Sequence, residues 1–227
     1  MNNQELLIAV CKEIEPLLDQ LVLVGGCATE LLVTDKAAPS PRPTQDVDMI
    51  IDVIYLRRYH DTEAKLREFG FTQTMDDQNI ICRWTKNNLM LDLIPTDEKI
   101  LGFTNRWYTY AVQHPQQTVI DNIAINHISA SIFIATKLEA FDSRGKGDYF
   151  ASHDLEDLIA VIDGRDELME EIQDAPQEVI TFMQQRFSQL LLDENFEDAL
   201  PGLLPPDAAG QARLNSLIGK LQTIANF

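Results

Sequence analysis

Leu21-Val22-Leu23-Val24-Gly25-Gly26-Cys27-Ala28 and Arg42-Pro43-Thr44-Gln45-Asp46-Val47-Asp48-Met49-Ile50-Ile51 are the two stretches that decide how this chain is read. The first is a short apolar run cut off by two glycines, the pattern of a buried strand that ends in a turn. Residues 28–33 then read as a short helix. The second stretch opens a strand over 46–53. Side chains two apart on a strand share a face. Val47, Met49 and Ile51 therefore form an apolar face, and Asp46 and Asp48 project together from the other.

Outward from this centre, residues 3–19 carry Leu6, Leu7, Val10, Ile14, Leu17 and Leu18 at helical spacing. The interval 35–43 holds Pro39, Pro41 and Pro43 and must be irregular. A helix is predicted over 55–69, stopped by Gly70. Strands are predicted over 80–86 and 89–94, joined by a tight turn at Asn87-Asn88 and closed by Pro95. Further strands are read at 107–112 and 118–125. From Ser129 the pattern turns helical, with helices expected near 130–142, 154–162, 166–173, 177–192 and 208–225. The division is an α/β part over 1–127 and a helical part over 128–227.

The 227 residues allow one large domain or two small ones. No stretch approaches 18 apolar residues, so no membrane span is expected. The N-terminal residues lack the basic start and apolar run of a secretory signal. Cys11, Cys27 and Cys82 are odd in number and unrelated in spacing, and read as reduced thiols of a cytoplasmic protein. With four scattered histidines they do not form a zinc pattern. The formal net charge is −18, which argues against anionic membranes and against a broad nucleic-acid surface. The charge is uneven. Residues 154–198 are densely acidic. Arg57, Arg58, Lys65, Arg67, Arg83, Lys86, Arg106, Lys137, Arg144 and Lys146 lie earlier and leave room for a local basic groove.

Asp92 lies inside Leu89-Met90-Leu91-Asp92-Leu93-Ile94, where a carboxylate needs a partner. If that strand adjoins the one bearing Asp46 and Asp48, three carboxylates converge and require a cation. Mg²⁺ takes few protein carboxylates and completes its shell with water and phosphate. A solvated strand face is the competing reading of the Asp pair. Gly25 and Gly26, between a strand and a helix start, can bring backbone N–H groups to an anion, or can be a plain tight turn. They match neither the dinucleotide nor the P-loop pattern. Arg42 can bridge phosphates or stay a solvated loop residue, and Thr44 can hydrogen-bond the start of the strand. Trp107 and Tyr108, beside Arg106, read first as core packing and second as a base-stacking patch.

Together, Val24-Gly25-Gly26-Cys27-Ala28-x-x-Leu31 and Arg42-x-Thr44-x-Asp46-Val47-Asp48 resemble the nucleotidyltransferase superfamily, and within it the AbiEii-type toxins of bacterial toxin–antitoxin systems. The resemblance spans roughly residues 20–160. It extends to Lys137 in Ala135-Thr136-Lys137-Leu138-Glu139-Ala140, to Arg144, and to Asp154 in His153-Asp154-Leu155-Glu156-Asp157-Leu158. It implies an α+β fold with a mixed sheet, flanking helices and a helical C-terminal part that contributes its Lys and Asp. It implies a catalytic set of Asp46, Asp48, Asp92, Lys137 and Asp154. Mg²⁺ or Mn²⁺ would sit on Asp46, Asp48 and Asp92, and an NTP on Gly25, Gly26, Arg42, Thr44, Lys137 and Arg144. The residues themselves leave Asp154 open as a helix cap and Asp157 open as its substitute.

The implied reaction moves an NMP from an NTP to a hydroxyl and releases pyrophosphate. A toxin-like enzyme implies tRNA or another macromolecule, protein included, as acceptor, and an antitoxin as partner. A small-molecule acceptor, as in the antibiotic-modifying nucleotidyltransferases, is the alternative that the net charge leaves open. A non-catalytic partner-binding module of the same shape is the third.

Overall fold

The computed structural model describes residues 1–52, 56–74, 82–145 and 147–227, with 56–58 described as backbone. Val53, Tyr55, Ile80, Ile81 and Lys146, which the expected elements and the local basic groove included, lie outside the described residues, as do the side chains of Arg57 and Arg58. The chain forms two compact units. One comprises Met1–Glu30 and Pro43–Ser129; the other comprises Leu31–Arg42 and Ala130–Phe227. No helix among the described residues is long and apolar enough to cross a membrane.

The first unit is built on a sheet of seven strands: β1 (Leu21–Val24), β2 (Val47–Ile51), β3 (Thr72–Gln73), β4 (Arg83–Lys86), β5 (Leu89–Pro95), β6 (Gln116–Ile120) and β7 (Ile123–His127). Their order is β3-β4-β5-β2-β1-β7-β6. The sheet is mixed. The β2–β5 and β1–β7 pairs are parallel, and the β1–β2, β3–β4, β4–β5 and β6–β7 pairs are antiparallel. Leu21, Leu23, Val47, Met49, Ile51, Trp84, Leu91 and Leu93 alternate along the four central strands and are all buried. That alternation fixes the register, because a slip of one residue would exchange the faces. It also sends Asp46, Asp48, Asp92 and Arg83 to the other face.

Local chemistry explains where the elements begin and end. Helix α1 (Asn3–Glu13) starts with a capping box in which the Asn2 side chain accepts from the Glu5 N–H and Glu5 accepts in return. The helix expected to run to residue 19 stops earlier, and Glu15–Gln20 is a 3-10 turn with Pro16 at its start. Pro16 has no N–H to continue an α-helical ladder. The hairpin of β4 and β5 turns at Asn87, which adopts φ +54°.

Two expectations fail for instructive reasons. Residues 118–125 are not one strand but parts of β6 and β7. Asp121 and Asn122 both take positive φ, at +51° and +64°, as a two-residue hairpin turn requires. Residues 107–112 are not a strand, since Tyr108–Gln113 is helix α5. Trp107 and Ala111 are the buried positions, four residues apart, and Asn105 accepts from the Trp107 N–H at its start. Helical spacing of burial overrides the β preference of the aromatic residues. The remaining helices of this unit are α2 (Gly25–Leu32, whose last two residues fall in the second unit), α3 (Leu56–Glu68) and α4 (Glu98–Leu101).

The second unit is helical: α6 (Ala130–Arg144), α7 (His153–Gly164), α8 (Leu168–Gln173), α9 (Gln177–Leu190), α10 (Glu194–Ala199), α11 (Ala208–Ala212) and α12 (Leu214–Ala225). The single helix expected over 208–225 breaks at Arg213. Helix α6 is the centre, buried from Ala130 to Leu138 on every side and packed against α7, α8 and α9. Val179, Met183, Phe187 and Leu190 form the inner stripe of α9. The segment 31–42 is fastened to this unit through the end of α7. The N–H groups of Thr34 and Asp35 both donate to the Gly164 carbonyl at 2.9 Å. Arg213 spans Asp163 at 2.6 Å and Asp35 at 2.7 Å. Lys220 donates to the carbonyls of Ile162 and Asp163, where a helix C-terminus attracts a cation.

Phe187 is fully buried in the helical unit. Its replacement by alanine removes a large apolar side chain and leaves a cavity. Phe187→Ala should lower stability by about 3–5 kcal/mol, read as a shift of the urea midpoint.

Candidate functional site

The first unit sets three charged residues in one transverse row. Val24 pairs with Asp48, Asp48 with Asp92, and Asp92 with Arg83, across β1, β2, β5 and β4. Asp46, two residues before Asp48, lies on the same face. The strands bearing the Asp pair and Asp92 do adjoin, and they pair in parallel.

Arg83 holds this row together. Its Nε donates to Asp92 Oδ1 at 2.9 Å, and one Nη donates to Asp92 Oδ2 at 2.8 Å and to Asp46 Oδ2 at 2.7 Å. This is a bidentate, charge-assisted pair with a bridge to a second carboxylate. Asp92 is buried, and the Arg83 side chain is only 15% exposed. Asp46 is fixed from its other side, where the Thr44 hydroxyl donates to Oδ1 at 2.9 Å. The Thr44 N–H in turn donates to Asn3. The Cys27 thiol lies 3.5 Å from the Asp46 carbonyl and donates to it. Burial, then the charges of Asp48 and Asp46, push that thiol well above its ordinary value, so it stays protonated. Burial, with Asp92 and Asp48 adding to it, pushes the Cys82 thiol up to about 12.

In the sequence Arg83 counts only among the basic residues of a local groove, yet a more specific signal is present. A two-residue turn at Asn87-Asn88 pairs 86 with 89, 85 with 90, 84 with 91 and 83 with 92. The hairpin alone therefore sets Arg83 opposite Asp92.

Gly25 makes the other close contact of the row. It has φ +66°, and a Cβ built on it would lie 1.8 Å from Asp48 Oδ2. Helix α2 begins at Gly25 itself, with no separate turn between strand and helix. The half-buried Asp48 carboxylate thus lies against the first residue of a helix. N–H groups at such an end carry no intrahelical partner.

The second unit has its own cluster. Lys137 is 6% exposed. It does not reach outward: its Nζ donates to Asp157 at 2.6 Å and to Asp154 at 3.3 Å, and lies 5.5 Å from the Phe133 ring centroid. Arg144 grips Asp154 with two bonds of 2.8 Å. Arg42 grips Asp157 at 3.0 and 3.2 Å. Asp154 and Asp157 are three apart on α7 and so share a face. Asp154 does not cap this helix, because Ser152 is the cap and accepts from the Leu155 N–H. Asp157, weighed only as a substitute for Asp154, is the more buried of the two and binds both Lys137 and Arg42. Trp107 is 1% exposed, with Arg106 lying 4.5 Å from its ring centroid. It packs in the core and offers no face for stacking a base.

Among the described residues, no three His, Cys, Asp or Glu side chains gather closely enough to hold a metal ion. The donors on the sheet still suit one in kind. Three carboxylates on one face of adjoining strands supply the hard oxygen atoms that Mg²⁺ and Mn²⁺ take. The Arg83 guanidinium offsets part of their charge through Asp46 and Asp92.

No protein-family model and no curated protein matches the chain. Among solved structures it is similar to an antigenic nucleotidyltransferase-like protein from Paracoccidioides brasiliensis, with a TM-score of 0.52 and 18% identity over 87% of this chain and 93% of that one. The fold is therefore nucleotidyltransferase-like: α+β, with a mixed sheet and a helical C-terminal part.

Two outcomes test this geometry. Gly25→Ala must place a methyl group where Asp48 lies and hold an alanine at positive φ. It should cost about 1–3 kcal/mol in urea unfolding, and a variant as stable as the parent would contradict the close approach. Asp154 gives a pH dependence. Burial would raise its carboxyl, but the hydrogen bonds from Arg144 and the charge of Lys137 outweigh this and hold it below 3.8. A depressed carboxylate contributes stability that is full above its unfolded value and lost as pH falls through its folded value. The parent should therefore exceed Asp154→Asn in stability at pH 6. The gap should close below pH 3.8, as measured by urea midpoints across the range.

Proposed function

We propose that this chain is a nucleotidyltransferase that moves an NMP from an NTP to a hydroxyl acceptor and depends on a divalent cation. The observation that supports this most directly is the Asp48 carboxylate packed against Gly25 at the start of α2, in register with Asp92. It puts a carboxylate, assigned to the cation in this reading, beside N–H groups that can take phosphate oxygens.

In this reading Asp46 and Asp48 hold Mg²⁺ or Mn²⁺, and Asp92 completes that site or takes the proton of the acceptor hydroxyl. The bound ion supplies Lewis acidity at the phosphoryl oxygens. The backbone at Gly25 and Gly26 binds phosphate, and Thr44 fixes Asp46. The acceptor oxygen forms a bond to the α-phosphorus, the bond to the pyrophosphate oxygen breaks, and the hydroxyl proton passes to a carboxylate. Lys137, Arg42 and Arg144 form a cluster of cations of the chemistry that a polyphosphate takes, with Asp154 and Asp157 orienting them.

The resemblance to AbiEii-type toxins supports a toxin-like enzyme of the cytoplasm, acting on tRNA or another macromolecule and controlled by an antitoxin. The net charge of −18 favours a second reading, a small and preferably cationic acceptor, because such a surface repels polyanions. The engagement of Asp46 and Asp92 by Arg83 favours a third, a non-catalytic module.

The test is pyrophosphate release together with label transfer from each α-³²P-NTP, with Mg²⁺, in cell extract containing tRNA. Asp48→Ala should lose at least about 100-fold in rate. Label in RNA absent with the variant would identify the toxin-like enzyme, and label in small molecules the antibiotic-type enzyme. Folded protein that transfers label from no NTP would sink the catalytic reading in favour of the module.

A further inference from the structure

We infer that Arg83 is a built-in counter-ion of the carboxylate row and competes with the divalent cation for it, so that the ion and the Arg83 ion pairs exclude one another. This rests on the reading of Asp46 and Asp48 as metal ligands. The argument is one of oxygen atoms and charge. Both oxygens of Asp92 accept from Arg83. Of the Asp46 oxygens, one accepts from Arg83 and the other from Thr44. All four oxygens of these two carboxylates are therefore engaged by donors at hydrogen-bond distance.

Mg²⁺ binds carboxylate oxygen at about 2.1 Å with near-octahedral geometry. An ion on Asp46 or Asp92 would lie within a few ångströms of a guanidinium that cannot shed its charge. Like charges so close, on a half-buried face, strongly disfavour joint occupancy. Asp48, in register with Asp92 on the neighbouring strand, is the third carboxylate of the row. The Cα of Arg83 is fixed on β4 opposite Asp92, so yielding the carboxylates means swinging the side chain while the strand stays in place. A released guanidinium matches an anion such as a phosphate group. By reciprocity, whatever draws Arg83 away strengthens metal binding by the same factor.

The experiment titrates Mn²⁺ into the full chain and counts free ion by electron paramagnetic resonance. It compares the parent with Arg83→Gln, Arg83→Lys and Asp48→Asn. Arg83→Gln should bind Mn²⁺ at least about tenfold more tightly than the parent. Arg83→Lys, which keeps the charge without the bidentate grip, should fall between them. In the parent, the Arg83 Nε–H resonance, assigned by its loss in Arg83→Lys, should move when Mg²⁺ saturates the protein.

Arg83→Gln binding no more tightly than the parent, with Asp48→Asn still weakening both, would overturn the competition and leave the metal reading standing. If Arg83→Gln does not fold, Arg83→Lys with parental affinity and an unmoved Arg83 resonance at saturating Mg²⁺ overturns it equally. Absence of any Asp48-dependent Mn²⁺ binding in every protein would remove the metal reading, and this inference with it.

Discussion

Carboxylates set side by side on one face of a sheet repel one another, and here the Arg83 guanidinium offsets part of that repulsion. Arg83 neutralises Asp92 with two hydrogen bonds and extends a third to Asp46. Asp92 sits in an otherwise apolar strand. Losing Arg83 would leave its buried charge poorly compensated, a far greater cost than leaving a surface pair unmade. The other features of the first unit serve this row. The Asn87 turn sets the register of β4 against β5, the apolar alternation keeps the charges on one face, and Thr44 holds Asp46 at the start of β2.

Gly25 is the second constraint. It is the point where a buried strand, the first turn of a helix and a carboxylate meet within contact distance. Only a residue without Cβ meets both demands, the positive φ and the approach of Asp48. Gly25 is thus explained without any ligand, by packing alone. The same packing leaves the first N–H groups of α2 beside a carboxylate that is itself suited to a cation. Structural necessity and binding chemistry coincide at this residue.

The helical unit meets a comparable problem with a different arrangement. Lys137, Asp154 and Asp157 are buried charges, and each has partners of opposite sign within hydrogen-bond distance. The cations come from three places in the chain: the segment 31–42, the middle of α6 and its last turn. A lysine on the buried part of α6 is tolerated because α7 brings two carboxylates to it three residues apart.

The sequence by itself determined what depends on neighbouring residues. The two-residue period of 46–51 gave the faces of β2. The apolar run and the glycines marked the end of β1 and the change from strand to helix. The periodicity after Ser129 marked the helical part. Even the pairing of Arg83 with Asp92 was implicit in the Asn87-Asn88 turn, because a hairpin of known turn length fixes its own register. The same local reading failed at 118–125, where Asp121-Asn122 was a turn signal passed over, and at 107–112, where the spacing of buried residues outweighed β propensity. Only the tertiary structure decided that β5 lies beside β2, with Asp92 in register with Asp48. Parallel neighbours are joined by long crossovers, and burial of the whole sheet selects them rather than any local pattern. Only the fold, likewise, placed Asp157 on Lys137 and Arg42, since those residues are distant in sequence and meet through the packing of α6 on α7.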